Sequence, residues 1–207
     1  MLLSWWAAVA GEGDDAMILE AVLAGNLQQV RMLVDRSDLE VRDGQGRTGL
    51  LLATRADNVE IARLLIEAGA DVNARDAIKD TPYLYAGAEG RDEILKMILA
   101  TGRANLKDTN RYGGTALIPA ADKGHPSTVR LLIAAGVEID HVNNLGWTAL
   151  MEAVILGDGG PVHQEIVGIL VDARARQIPD RDGITPLEHA RRLGFGEIAE
   201  RMVSGPR

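Results

Sequence analysis

The sequence predicts an all-α fold, a solenoid of helix-turn-helix units joined by short hairpin-like turns, and three observations predict it. A threonine recurs at Thr48, Thr81, Thr115, Thr148 and Thr185, at intervals of 33, 34, 33 and 37 residues. Its lead-in recurs with it: Asp43-x-x-Gly46-x-Thr48, Asn110-x-x-Gly113-x-Thr115, Asn143-x-x-Gly146-x-Thr148 and Asp180-x-x-Gly183-x-Thr185. The copy from Asp76 to Thr81 keeps both ends but has Lys79 where the glycine falls. Aromatic residues are scarce, with one Phe, three Tyr and three Trp in 207 residues, so Ala, Leu, Ile and Val must form the core.

Each unit opens with that turn. Its glycine supplies backbone freedom, and the leading Asp or Asn can bond its own backbone. The threonine reads as a helix N-cap, with Pro82 and Pro186 directly after theirs, where a missing N–H costs nothing. A short helix then runs to a turn such as Asp57-Asn58, Gly90-Arg91, Gly124-His125 or Gly157-Asp158. A second helix follows, with apolar residues at helical spacing, as in Val59, Ile61, Ala62, Leu64 and Leu65. It closes at Gly69, Gly102 or Gly136, where a C-terminal glycine belongs. The predicted units span 14–42, 43–75, 76–109, 110–142, 143–179 and 180–203, leaving a tail at 204–207. The long last interval places an insertion at 158–164, between the two helices of the fifth unit.

Residues 1–13 stand outside this pattern, as an N-terminal apolar extension or the remnant of a signal peptide. Ala8-Val9-Ala10 before Gly11 has the small residues a signal peptidase reads, although a basic leading region is missing. The signal-peptide reading points to an exported or periplasmic protein, and the extension reading to a cytoplasmic one. The chain contains no cysteine, which excludes disulfides and Cys-based metal sites. No stretch approaches the length of a membrane span. The net charge is −8, with no Lys/Arg-rich run, which argues against nucleic acid. Residues 1–171 carry 24 acids and 15 bases, so a partner with a basic surface would be steered towards the earlier units.

The chain resembles the ankyrin repeat family. The resemblance rests on Asp43-x-x-Gly-x-Thr48, on Val59-Glu-Ile-Ala-Arg-Leu-Leu-Ile-Glu-Ala-Gly-Ala-Asp-Val-Asn73, on Gly124-His125 and on Thr185-Pro-Leu-Glu-His-Ala190, and covers residues 14–203. One departure is the histidine that usually follows Thr-Pro-Leu, here replaced by Leu51, Leu84, Ile118, Met151 and Glu188. The resemblance implies a monomeric, non-catalytic protein-protein interaction module that binds through hairpin tips and the concave face of the first helices. The tip residues it marks are Ile78, Arg111, Tyr112, Asn144, Leu145, Trp147 and Ile184. Tyr85, Glu152 and His189 mark the groove, with Lys123 and Arg192 beside them. The alternatives are a small ligand or peptide terminus held in that groove, or a structural scaffold subunit of a larger complex. No cofactor or metal is expected: His125, His141, His163 and His189 lack the spacing of a zinc helix, and phosphate-loop and nucleophile-elbow motifs are absent.

Overall fold

The computed structural model describes the backbone of residues 3–205 and the side chains of residues 13–205. Every hairpin in it is organised around one side-chain oxygen. Asn143 Oδ1 accepts the N–H groups of Leu145 at 2.9 Å and Trp147 at 3.0 Å, while the Asn143 N–H bonds the Trp147 carbonyl at 3.0 Å. Asp43, Asp76, Asn110 and Asp180 each hold the N–H groups two and four residues on in the same way. This is why the motif tolerates Asp or Asn and little else: a short acceptor must reach back to its own backbone.

The fourth hairpin position adopts a left-handed backbone, with φ of 76° at Gly46 and 89° at Gly146. Lys79 takes the same conformation at φ 69° without a glycine's freedom. Lys79→Gly should therefore raise unfolding stability by up to about 1 kcal/mol, since relieved strain outweighs the added freedom of the unfolded chain. Urea denaturation would check this, and an unchanged or lowered midpoint would contradict it.

Among the described residues there are twelve helices and no strand. In chain order these begin with α1 (Leu3–Leu23) packed on α2 (Leu27–Leu33), α3 (Gly49–Arg55) packed on α4 (Val59–Glu67), and then α5 (Pro82–Ala88) and α6 (Asp92–Ala100). The remaining pairs are α7 (Leu117–Asp122) and α8 (Pro126–Ala134), α9 (Ala149–Ile155) and α10 (Pro161–Asp172), and α11 (Pro186–Leu193) and α12 (Gly196–Ser204). The expected boundary at residues 13 and 14 falls inside α1. The apolar side chains of residues 1–10 lie outside the described residues. No described helix is long and apolar enough to cross a membrane.

Thr48, Thr81, Thr148 and Thr185 each accept the N–H three residues on, so they cap their helices as expected. Thr115 does not. In the other repeats the N–H four residues after the threonine bonds its carbonyl, as from Glu152 to Thr148 at 3.0 Å. Pro119 occupies that place in the fourth repeat and has no N–H to give. The Thr115 carbonyl instead takes the Ile118 N–H at 3.2 Å, the helix begins at Leu117, and the buried Thr115 hydroxyl is left without a partner.

The chain divides into two compact units, Met1–Ala86 with Glu93–Ala104, and Gly87–Asp92 with Asn105–Arg207. The first unit is centred on Ile18, Leu33, Leu50, Leu51, Ile61, Leu65, Tyr83, Ile94 and Ile98, all buried. In the second, α7, α9 and α11 pack side by side as one layer, and α8, α10 and α12 as another. Leu117, Leu132, Leu150, Ile166, Leu170 and Ile198 fill the space between them.

Candidate functional site

The first unit carries one of the expected tip residues, Ile78, which is 46% exposed on the hairpin led by Asp76. That hairpin is tied to its neighbour by the Ala77 N–H, which bonds the Gln45 carbonyl at 3.0 Å.

In the second unit the equivalent bond runs from the Asn144 N–H to the Tyr112 carbonyl, also at 3.0 Å. It sets Tyr112, 54% exposed, and Leu145, 48% exposed, on directly adjoining hairpins. The Arg111 guanidinium stacks on the Tyr112 ring, 4.7 Å from its centroid, giving that tip a cationic, aromatic surface. Asn144 is itself exposed, and its carbonyl accepts from Arg181 on the next hairpin. The close stacking explains a glycine: a Cβ on Gly113 would stand 2.4 Å from Asn144 Oδ1. Trp147 is only half-buried by comparison, its backbone N–H and carbonyl both committed to Asn143. Ile184 occupies the same place on the last hairpin and is likewise half-buried.

Most of the groove residues are engaged within the fold. In the first unit Arg55 lies over the Tyr85 ring, 4.6 Å from its centroid, and pairs with Asp80 at 3.6 Å. In the second unit Lys123 pairs with Glu89, and Arg192 is exposed. Glu152 is 7% exposed, and its Oε1 accepts the Asn143 Nδ2–H at 2.7 Å. Burial, reinforced by the negative charge of Asp122 on the neighbouring helix, pushes the Glu152 carboxyl up to about 7 against an opposing pull from Asn143. Asp122 is raised as well, again by burial. His189 Nε2 meets Asp180 Oδ2 at 2.7 Å, while the N–H of Ile184 and then His189 hold the Asp180 carboxyl below its ordinary range.

Sequence reasoning marked Glu152 and His189 but missed Asn143 and Asp180 as their partners. The signal was present in the spacing. Each hairpin acceptor precedes its groove residue by nine positions, and the two types are matched: Asn143 with a donor to spare faces a carboxylate, and Asp180 with an acceptor to spare faces an imidazole. Elsewhere that groove position is Leu52 or Pro119, with no side-chain donor or acceptor, or Tyr85, whose ring lies against Arg55.

The insertion in the fifth unit is anchored. His163 meets Asp158 Oδ1 through Nδ1 and the Asp122 carbonyl through Nε2, both at 3.0 Å. Gln164 Nε2 donates to the Gly159 carbonyl at 2.9 Å and to Glu197 at 3.0 Å.

Comparison with known proteins decides the family. The ankyrin-repeat profile matches residues 7–76, 83–177 and 120–206. The chain is an ankyrin repeat protein. It is 35% identical over 189 residues to the ankyrin repeat protein YahD of Escherichia coli (strain K12), covering 90% of this chain and 94% of that one. A solved ankyrin repeat domain from Acinetobacter baumannii AYE is 54% identical, with a TM-score of 0.87 over 90% of this chain and 95% of that one. A second, the ankyrin repeat protein EF0377, is 40% identical with a TM-score of 0.90 over 93% and 98%. The expected solenoid of ankyrin repeats is thus the fold. Ankyrin repeats generally serve as protein-protein interaction modules and are generally non-catalytic.

Proposed function

We propose that this ankyrin protein is a non-catalytic recognition module that holds a partner protein on the hairpin tips of its second unit. Arg111, Tyr112, Asn144 and Leu145 form the centre of the contact, with Trp147 on the same hairpin as Leu145 and Ile184 contributing from the last hairpin. One observation carries the reading: the Asn144–Tyr112 backbone bond fixes two exposed apolar side chains side by side on adjoining tips. Exposed aromatic and aliphatic groups held on rigid backbone lose little entropy on binding, which is what an anchor needs. The net charge of −8 favours a partner with a basic surface through steering of the encounter.

The test is affinity capture from the source organism by the wild type, by the Tyr112→Ala, Leu145→Ala double variant, and by a control with Leu193→Ala and Val203→Ala. Leu193 and Val203 are similarly exposed but lie on α11 and α12. The captured partner should bind the tip variant roughly tenfold or more weakly and the control unchanged. Equal loss in both variants, or none in the tip variant, would remove the tips from the contact.

A further inference from the structure

We infer that Glu152 is a proton-operated latch on the hairpin that carries Leu145 and Trp147, so that protonation of one groove carboxyl adjusts the recognition tip. The geometry begins with Asn143. Its Oδ1 is committed to the N–H groups of Leu145 and Trp147, at 2.9 and 3.0 Å, which fixes the orientation of the amide. Nδ2 must then face the groove, and there it donates to Glu152 Oε1 at 2.7 Å. A single amide thus joins the groove carboxyl to the backbone of the tip. The hairpin is joined onward, through the Asn144 N–H, to the carbonyl of Tyr112.

An ionised carboxylate makes this a charge-assisted bond, and a protonated one leaves a weaker bond between neutral groups. Protonation therefore loosens the hold of Glu152 on Asn143, and with it the restraint on the Leu145–Trp147 turn. Most charged groups on the elements packed against α9 are held by other partners: on α10, Glu165 by Arg130 and Asp172 by Arg201, and on α11, Glu188 by Thr185. Directly after α7, Lys123 pairs with Glu89. On α10, His163 bonds Asp158 and the Asp122 carbonyl. On α11, His189 pairs with Asp180, and Arg192 is exposed. Asp122 is the charge that acts on Glu152, and its sign opposes ionisation. With the carboxyl raised to about 7, the latch changes state close to neutral pH.

The consequence for capture rests on the tip reading above, whereas the latch can be read without any partner. In 15N-labelled full-length protein, the backbone amides of Leu145 and Trp147 and the Asn143 side-chain amide should shift together between pH 5 and 9, with a midpoint near 7. Glu152→Gln, similar in shape but unable to ionise, should abolish that transition. Asp122→Asn leaves Glu152 in place and should move the midpoint to lower pH. Amides that stay fixed in the wild type, a transition that survives Glu152→Gln, or a midpoint indifferent to Asp122→Asn would each overturn the latch. A hairpin that titrates while no partner is captured at any pH supports the latch and sinks the recognition reading alone. Equal capture at pH 6 and pH 8.5 by a titrating hairpin would overturn the regulatory part of the inference.

Discussion

Leu132→Ala lowers the unfolding free energy by roughly 3 kcal/mol, a loss typical of truncating a fully buried core leucine. Leu132 is fully buried on α8, a helix packed against both α7 and α10, so truncation opens a space bordered by two successive repeats. The loss combines the transfer free energy of the deleted carbons with the cavity left behind. No repeat can bury its apolar face alone, so the damage falls on the stacking that holds neighbours together. Chemical denaturation of wild type and variant measures it. A change below about 1 kcal/mol would mean that the layers close around the gap, contrary to the close packing described.

The second large effect is on pH dependence. The Glu152 carboxyl ordinarily titrates near 4.5 and is raised to about 7 in the folded protein. Between those values the native state holds a proton that the unfolded chain has released. Glu152 therefore contributes stability at low pH that is lost as pH rises through 7. In Glu152→Gln this dependence disappears. The stability of the variant relative to wild type should rise from pH 4.5 to pH 8, by at most about 3 kcal/mol. Taking the difference between the two proteins cancels the titration of carboxylates that do not interact with Glu152. Urea melts across this range give the profile, and a difference independent of pH would show that the folded Glu152 titrates as an ordinary exposed carboxyl.

The parts of this molecule legible from the sequence are those where one residue type performs one local task. The leading Asp or Asn, the glycine and the threonine of each hairpin act within five residues of one another, and their spacing is enough to find them. Thr115 was misread because its cap depends on Pro119, which deletes an N–H that the other four repeats use. The proline by itself is tolerable in a first turn, and only the competition for the Ile118 N–H shows its effect. Trp147 illustrates a different limit. Its place on a tip follows from the repeat register, but its half-burial depends on packing that a single repeat does not encode. The Asn143–Glu152 and Asp180–His189 pairs lie between these cases, since the nine-residue spacing is visible but the matching of donor to acceptor needs the hairpin bonds to assign each amide and carboxylate atom.

The central claim, that recognition occurs at the tips of the second unit, is tested most directly by placing a photo-crosslinking residue at position 112, 145 or 193 in otherwise wild-type protein. Each version is irradiated with the captured partner and the adducts are mapped. The account predicts strong adducts to the same partner segment from positions 112 and 145, which sit on adjoining hairpins, and none from 193. Adducts from position 193 with none from the two tips would place the contact elsewhere on the repeats and contradict it.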